Sequence, residues 1–407
     1  MDKNPAKQTL RPALQPQNPV GRRPVVSLIL DHYYPEIHAG VVRAAREFGW
    51  NLDDERCRGF HGSRYPEGWI PDGVLCTTAT DPSLHWLRAC PAPAVRLLED
   101  AAPFSSPGPA DEIRTVALGL TRAGEIAANH LLSLGIPNIA YYRYCQPREP
   151  QAMLPVIAAA CRKAGRNLIV LDYPGEHPEL APSFVLPRQQ RDEWLRGKLR
   201  ELPLPCAVMA DDDRFALDLI EAALGVGLRV PEDLAVMGCE DLPLVQGRAP
   251  IPVSSIDMNL ELLGYTGASI LDRLMQGESV PERCHFIPPN RLVERQSTST
   301  FVCDVPGISK AVLKIRRDYS EPLTVFSLAK ESGMSVRSLQ RLFRVVTGTT
   351  VSEALMERRL NAAAHLLRET NFKQEPIAIE AGLGSSKNLG RLFKEHFGVT
   401  PGQWREQ

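Results

Sequence analysis

The order of apolar and polar positions divides the chain into two patterns. From Pro24 onward, short apolar runs alternate with longer amphipathic stretches. Runs at 25–30, 73–76, 94–98, 139–142, 168–171, 207–209 and 234–238 have the length and composition of buried parallel strands. Between them, helical periodicity predicts helices over 37–48, 84–89, 121–134, 153–164, 191–200 and 214–224. Strands and helices alternating in this way predict a doubly wound α/β body. Past residue 320 the apolar positions fall at helical spacing only, and the pattern occurs twice. Ala329 and Gly333 recur as Ala378 and Gly382 at an offset of 49, and Leu339, Arg341 and Phe343 recur as Leu389, Arg391 and Phe393 at an offset of 50.

Each copy predicts helix, tight turn, helix. The small alanine lets the second helix cross closely over the first, and the glycine tolerates the left-handed conformation that ends a helix sharply. The leucines and phenylalanine put an apolar stripe on the inner face of the second helix. The outward positions are then Ser335, Arg337, Ser338, Gln340, Arg341 and Arg344 in the first copy. In the second they are Ser385, Ser386, Lys387, Asn388, Arg391 and Lys394. Such a face suits the DNA major groove, where Arg and Gln meet base edges and Lys, Ser and Arg meet phosphates. A lone helix pair would equally be a small bundle with a solvated face; the duplication around a long helix argues for the groove.

These residues resemble the DNA-binding domain of the AraC family of transcription regulators, which carries two helix-turn-helix units. The likeness runs through 339–343, 357–360, 363–367, 391–394 and 397–401. It implies that Arg337, Gln340 and Arg341 face bases in one groove, with Ser386, Lys387, Gly390 and Arg391 at the matching positions in the next. Leu383 and Leu389 replace residues that are bulkier in the family, and Gly384 and Gly390 make the second unit the weaker reader.

Charge supports this division. The chain of 407 residues has a net charge of −1, yet residues 307–407 hold 16 Lys and Arg against 10 Asp and Glu, leaving 31 against 38 in the remainder. A basic terminal module beside an acidic body is what phosphate binding requires. Hydrophobic residues at 43% and charged residues at 23% are ordinary for a globular protein with buried cores. No run of 18 apolar residues and no signal-peptide core occurs, so a cytoplasmic location is expected. The nine cysteines include no Cys-x-x-Cys pair and predict reduced thiols rather than zinc or disulfides. Residues 1–23 lack periodicity and predict a disordered tail, whose basic residues could alternatively touch DNA.

Within the α/β body, residues 207–213, a helix closing at Gly227, and 230–241 resemble the ligand-binding domain of LacI-type repressors and periplasmic sugar-binding proteins. Residues 130–135 and 253–256, followed by Leu263 and Gly264, add to the likeness, and 288–291 with 294–298 look like a sensor-to-reader junction. The resemblance implies a two-lobed sensor over 24–300 and an all-α double helix-turn-helix reader over 301–407. Ligands in such folds bind at the carboxyl ends of the strands. The candidates there are Tyr33 and Tyr34, beside Asp31 and His32, then Arg96, Arg143, Asp213 with Arg214, and Glu240 with Asp241. Asp213 is either a ligand contact or a helix N-cap, and the tyrosines either stack on a sugar ring or belong to the core. The family's Asp-Asn pair is replaced by Leu120 and Thr121, and its arginine by Ala152. The loss removes charge-assisted hydrogen bonds of about 1.5–3 kcal/mol each.

Asp211, Asp212 and Asp213 lack partner ligands at metal-binding spacing, and Gly225 with Gly227 lacks the rest of a nucleotide fingerprint. No nucleophile elbow or phosphate loop points to an enzyme, and no cofactor is expected. The expected function is a DNA-binding transcription regulator acting as a homodimer on an operon promoter. A small sugar-like effector between the lobes would control it, with RNA polymerase a further candidate partner. The alternative is a vestigial sensor and constitutive DNA binding.

Overall fold

The computed structural model describes residues 22–30, 33–55, 70–77, 87, 90–98, 113–143, 153–177 and 188–406. The expected tail up to residue 21, Asp31, His32, Ala152, and the expected helix at 84–89 apart from Leu87 lie outside these. The chain forms two compact units, one holding residues up to Leu118 together with Leu260–Ile287, the other Gly119–Asn259 together with Pro288–Gln407.

The first unit begins with β1 (Val25–Ile29), α1 (Pro35–Phe48), β2 (Asn51–Asp53), β3 (Gly73–Cys76), β4 (Ala94–Leu98) and β5 (Arg114–Leu118). The second follows with α2 (Leu120–Ser133), β6 (Asn138–Arg143), α3 (Met153–Lys163), β7 (Leu168–Asp172), α4 (Tyr173–Glu176) and α5 (Arg188–Glu201). It continues through β8 (Cys206–Ala210), α6 (Asp213–Gly225), β9 (Leu234–Cys239), α7 (Pro243–Gln246) and β10 (Ser254–Asp257). The chain returns to the first unit for α8 (Leu260–Met275) and β11 (Cys284–Ile287), then re-enters the second with β12 (Arg291–Val293). Seven helices end it: α9 (Pro306–Asp318), α10 (Val325–Glu331), α11 (Val336–Thr347), α12 (Val351–Glu369), α13 (Gln374–Glu380), α14 (Ser386–Phe397) and α15 (Pro401–Glu406).

Each unit has a six-stranded sheet, in the order β11-β5-β4-β3-β1-β2 and β12-β10-β9-β8-β6-β7. All pairings are parallel except β12, which runs antiparallel on β10. The seven apolar runs picked out above each form a strand. Strands β2, β5, β10, β11 and β12 were not anticipated as strands, because they are short or mixed in character and owe their state to pairing with distant segments.

In the first unit α1 and α8 meet backbone to backbone. A Cβ on Gly40 would come within 2.0 Å of the Glu261 carbonyl oxygen, and one on Gly264 within 2.1 Å of that of Ile37. In the second unit Tyr142, Leu171, Tyr173, Leu195, Val208, Leu219 and Val236 anchor the core on one face of the sheet.

The terminal helices form two small cores. Ile308, Ile315, Leu328, Ala329, Leu339 and Phe343 build one, and Leu367, Ile377, Ala378, Leu383, Leu389 and Phe393 the other. The long helix α12 serves both, giving Val351 and Leu355 to the first core and Leu360, Ala363 and Leu367 to the second. Tyr319 packs against both.

Candidate nucleic-acid interface and sensor edge

The two duplicated helix pairs are α10 with α11 and α13 with α14. The turn glycines Gly333 and Gly382 adopt left-handed φ of 66° and 72°, as the sequence pattern requires. Both second helices are capped alike, with Ser335 Oγ accepting from the Ser338 N–H at 3.1 Å and Ser385 Oγ from the Asn388 N–H at 3.3 Å. Leu339 with Phe343, and Leu389 with Phe393, bury the inner stripes completely or nearly so. The outer faces stay open: Arg337, Gln340, Arg341 and Arg344 are exposed on α11, and Lys387, Arg391 and Lys394 on α14. Ser338, Ser386, Asn388 and Gly390 are half-buried.

The two faces differ in what their side chains already hold. On α11, Arg337, Gln340, Arg341 and Arg344 line a groove of about 650 Å³ with Val325, Val345 and the Thr350–Ser352 start of α12. On α14, Arg391 pairs with Glu395 at 3.1 Å and donates to Asn388 Oδ1 at 3.2 Å, while Asn388 donates to the Leu383 carbonyl at 2.9 Å. Glu375 accepts the Ser386 N–H at 2.8 Å, which places a carboxylate at the start of the helix. Thr350 and Ser352, at the start of α12, border the same groove as the α11 arginines and were not among the residues expected to meet DNA.

The sensor candidates fall in both units. In the first, Tyr34 is buried and Tyr33 is half exposed, with its hydroxyl 3.3 Å from His38 Nδ1. Tyr34 therefore takes the core role left open above. Arg96 is buried on β4, and burial lowers its pKa. In the second unit, Arg143 at the end of β6 pairs with Asp172, its Nε 2.9 Å from Oδ1. The cap of α6 is Asp212, not Asp213: it accepts from the Arg214 and Phe215 N–H groups and pairs with the Arg214 guanidinium at 2.6 Å. Asp213 is fully buried and accepts the Leu242 N–H at 2.7 Å, and burial drives its carboxyl well above the usual range. Three consecutive aspartates carry no register of their own, so the one-residue shift was not legible.

Glu240 and Asp241 follow β9 with φ of 91° and 54°. Non-glycine residues in this region cost about 1–3 kcal/mol and persist only where surrounding contacts hold them. Here the Glu240 N–H donates to the Ile256 carbonyl at 2.8 Å and the Asp241 N–H to Ser255 Oγ at 3.0 Å. Arg295, absent from the candidate set, pairs with Asp241 at 2.7 Å. Among the described residues no group of three or more His, Cys, Asp or Glu is placed to hold a metal ion. No described helix is long and apolar enough to cross a membrane.

Comparison with known proteins finds two family models on the chain. Residues 128–298 match a periplasmic binding protein-like domain and 328–407 a helix-turn-helix domain. The xylose operon regulatory protein of Escherichia coli K12 is 26% identical over 286 residues, covering 69% of this chain and 71% of that one. The regulatory protein SoxS of Salmonella typhimurium is 39% identical over 87 residues, covering 21% of this chain and 81% of its own. The solved structure of the xylose-binding transcription activator xylR shares the fold with a TM-score of 0.56 at 22% identity, over 95% of this chain and 98% of that one. With its paired helix-turn-helix units behind a LacI-type periplasmic-binding-protein-like domain, the chain belongs to the AraC-type DNA-binding transcription regulators, in the arrangement of the xylose regulator.

Proposed function

We propose that the chain is an effector-controlled regulator of an operon promoter, with a sensor over 24–300 and a DNA reader over 301–407. It acts as a homodimer in the cytoplasm. Arg337, Gln340 and Arg341 read base edges in one major groove, while Ser335, Ser338 and Arg344 hold the backbone. Ser386, Lys387, Asn388, Gly390, Arg391 and Lys394 occupy the next groove. The observation that carries this reading is the pair of exposed polar helix faces, each standing over its own apolar core. The effector is a small sugar-like molecule, for which Arg143, Arg214 and Glu240 are the contacts in the second unit, with Asp213 supporting the loop at Leu242. RNA polymerase is the partner expected of a promoter-bound regulator.

Duplexes selected by the protein from a random pool test the DNA reading. Arg341→Ala should weaken binding to the selected duplex by about 1–3 kcal/mol and relax preference at one base pair. Retention of full affinity and preference would show that α11 does not read bases.

The pairing of Arg143 with Asp172, Arg214 with Asp212 and Arg295 with Asp241 favours a second reading, a sensor that no longer takes a sugar. A thermal-shift screen with sugars and sugar acids separates the two. An effector at a hundredfold over its Kd raises stability by about 2.7 kcal/mol, whereas good DNA binding without any shift favours the second.

A further inference from the structure

Glu294 and Arg295 are neighbours that engage different parts of the second unit. Arg295 is tied to the sensor sheet: its N–H donates to Ser254 Oγ at 2.8 Å and its Nη1 to the Val253 carbonyl at 2.8 Å. The same guanidinium pairs with Asp241, in the left-handed turn after β9. Glu294 instead lies among His130 at the end of α2, Arg316 of α9 and Arg358 of α12. Partial enclosure raises its carboxyl pKa, but His130, Arg358 and Arg316 outweigh this and leave it below the usual range.

The residues that follow are stitched into the sensor rather than slack. Ser297 Oγ donates to the Val236 carbonyl at 2.5 Å, and Thr298 Oγ1 lies 2.7 Å from Ser254 Oγ and 2.8 Å from His130 Nε2. The Val302 N–H donates to the Leu134 carbonyl at 2.8 Å. From the reader, Arg316 Nη1 reaches back to the Thr300 carbonyl at 2.8 Å. Contacts therefore run without a gap from the turn at Glu240 and Asp241 to the first helix of the reader.

We propose that Glu294 and Arg295 are the positioning residues that couple the turn after β9 to the DNA reader. This rests on reading that turn as part of the effector site. A change in the turn that releases Asp241 from Arg295 shifts the strand end carrying Glu294, and with it the seat of Arg316 and Arg358. Coupling between two sites is reciprocal, so DNA bound at the reader must alter the turn, and DNA alone can serve as the probe.

The test is hydrogen exchange on the full chain, with and without a duplex selected by the wild-type protein. Residues 239–242 should change exchange rate at least threefold on duplex addition. Glu294→Gln and Arg295→Gln should each abolish that change while binding the duplex within about threefold of wild type, an outcome that a merely structural role would not produce. A wild-type protein that binds the duplex and leaves 239–242 unchanged overturns the coupling while leaving the DNA reading intact. Persistence of the change in either folded variant also overturns it. Should Glu294→Gln unfold, Arg295→Gln on the sensor side carries the same test alone.

Discussion

His130 is where acid should be felt first. Burial pushes its imidazole down to about 4 from an ordinary 6.5, with Glu294 opposing and Arg316 adding to the shift. As pH falls, the unfolded chain takes up this proton before the folded one. The contribution is therefore complete above pH 6.5 and lost progressively down to about 4, amounting to roughly 3 kcal/mol at 1.36 kcal/mol per unit. Denaturant titrations across that window should show the fall, and His130→Gln should flatten it. An unchanged slope in the variant would assign the loss to other groups. This residue shows the limit of sequence reading: His130 falls within a stretch that resembles a family motif, yet its meeting with Glu294 and Thr298 depends on segments far along the chain. The exposure of Arg337, Gln340 and Arg341 on one face of α11 was legible because helical spacing alone assigns a face.

Among elements, α12 carries the most consequence, since its two halves complete two different cores. Phe343→Ala and Phe393→Ala each delete a fully buried ring and should cost about 3–5 kcal/mol. Each loss should fall mainly on its own helix-turn-helix unit, with hydrogen exchange rising in α10 and α11 for the first and in α13 and α14 for the second. Exchange rising equally in both units would contradict the division into two cores. The α1–α8 crossing gives a second case. Gly264→Ala drives a methyl into a backbone carbonyl that cannot turn aside, and overpacking of this kind costs about 1–3 kcal/mol. Here too the sequence was partly readable. The strand β1 announces itself by four residues of β-branched and aliphatic character around one serine, whereas β11 and β12 are short and mixed and become strands only by pairing with β5 and β10.

At the scale of the whole molecule, the basic terminal hundred residues and the acidic remainder set the electrostatics of DNA binding. Log affinity should fall linearly with log salt, with a slope near −0.9 for each phosphate neutralised. Lys394→Ala, at the position matching the backbone-holding Arg344, should make that slope shallower by about one without changing base preference. The duplication that betrayed the reader also defines the most direct test of the account. Hydroxyl-radical footprinting on a duplex selected by the protein should reveal two protected patches per reader, on one face of the helix and about one turn, roughly 34 Å, apart. A single protected patch, or selection that enriches no sequence, would contradict the claim that the chain reads DNA with two helix-turn-helix units.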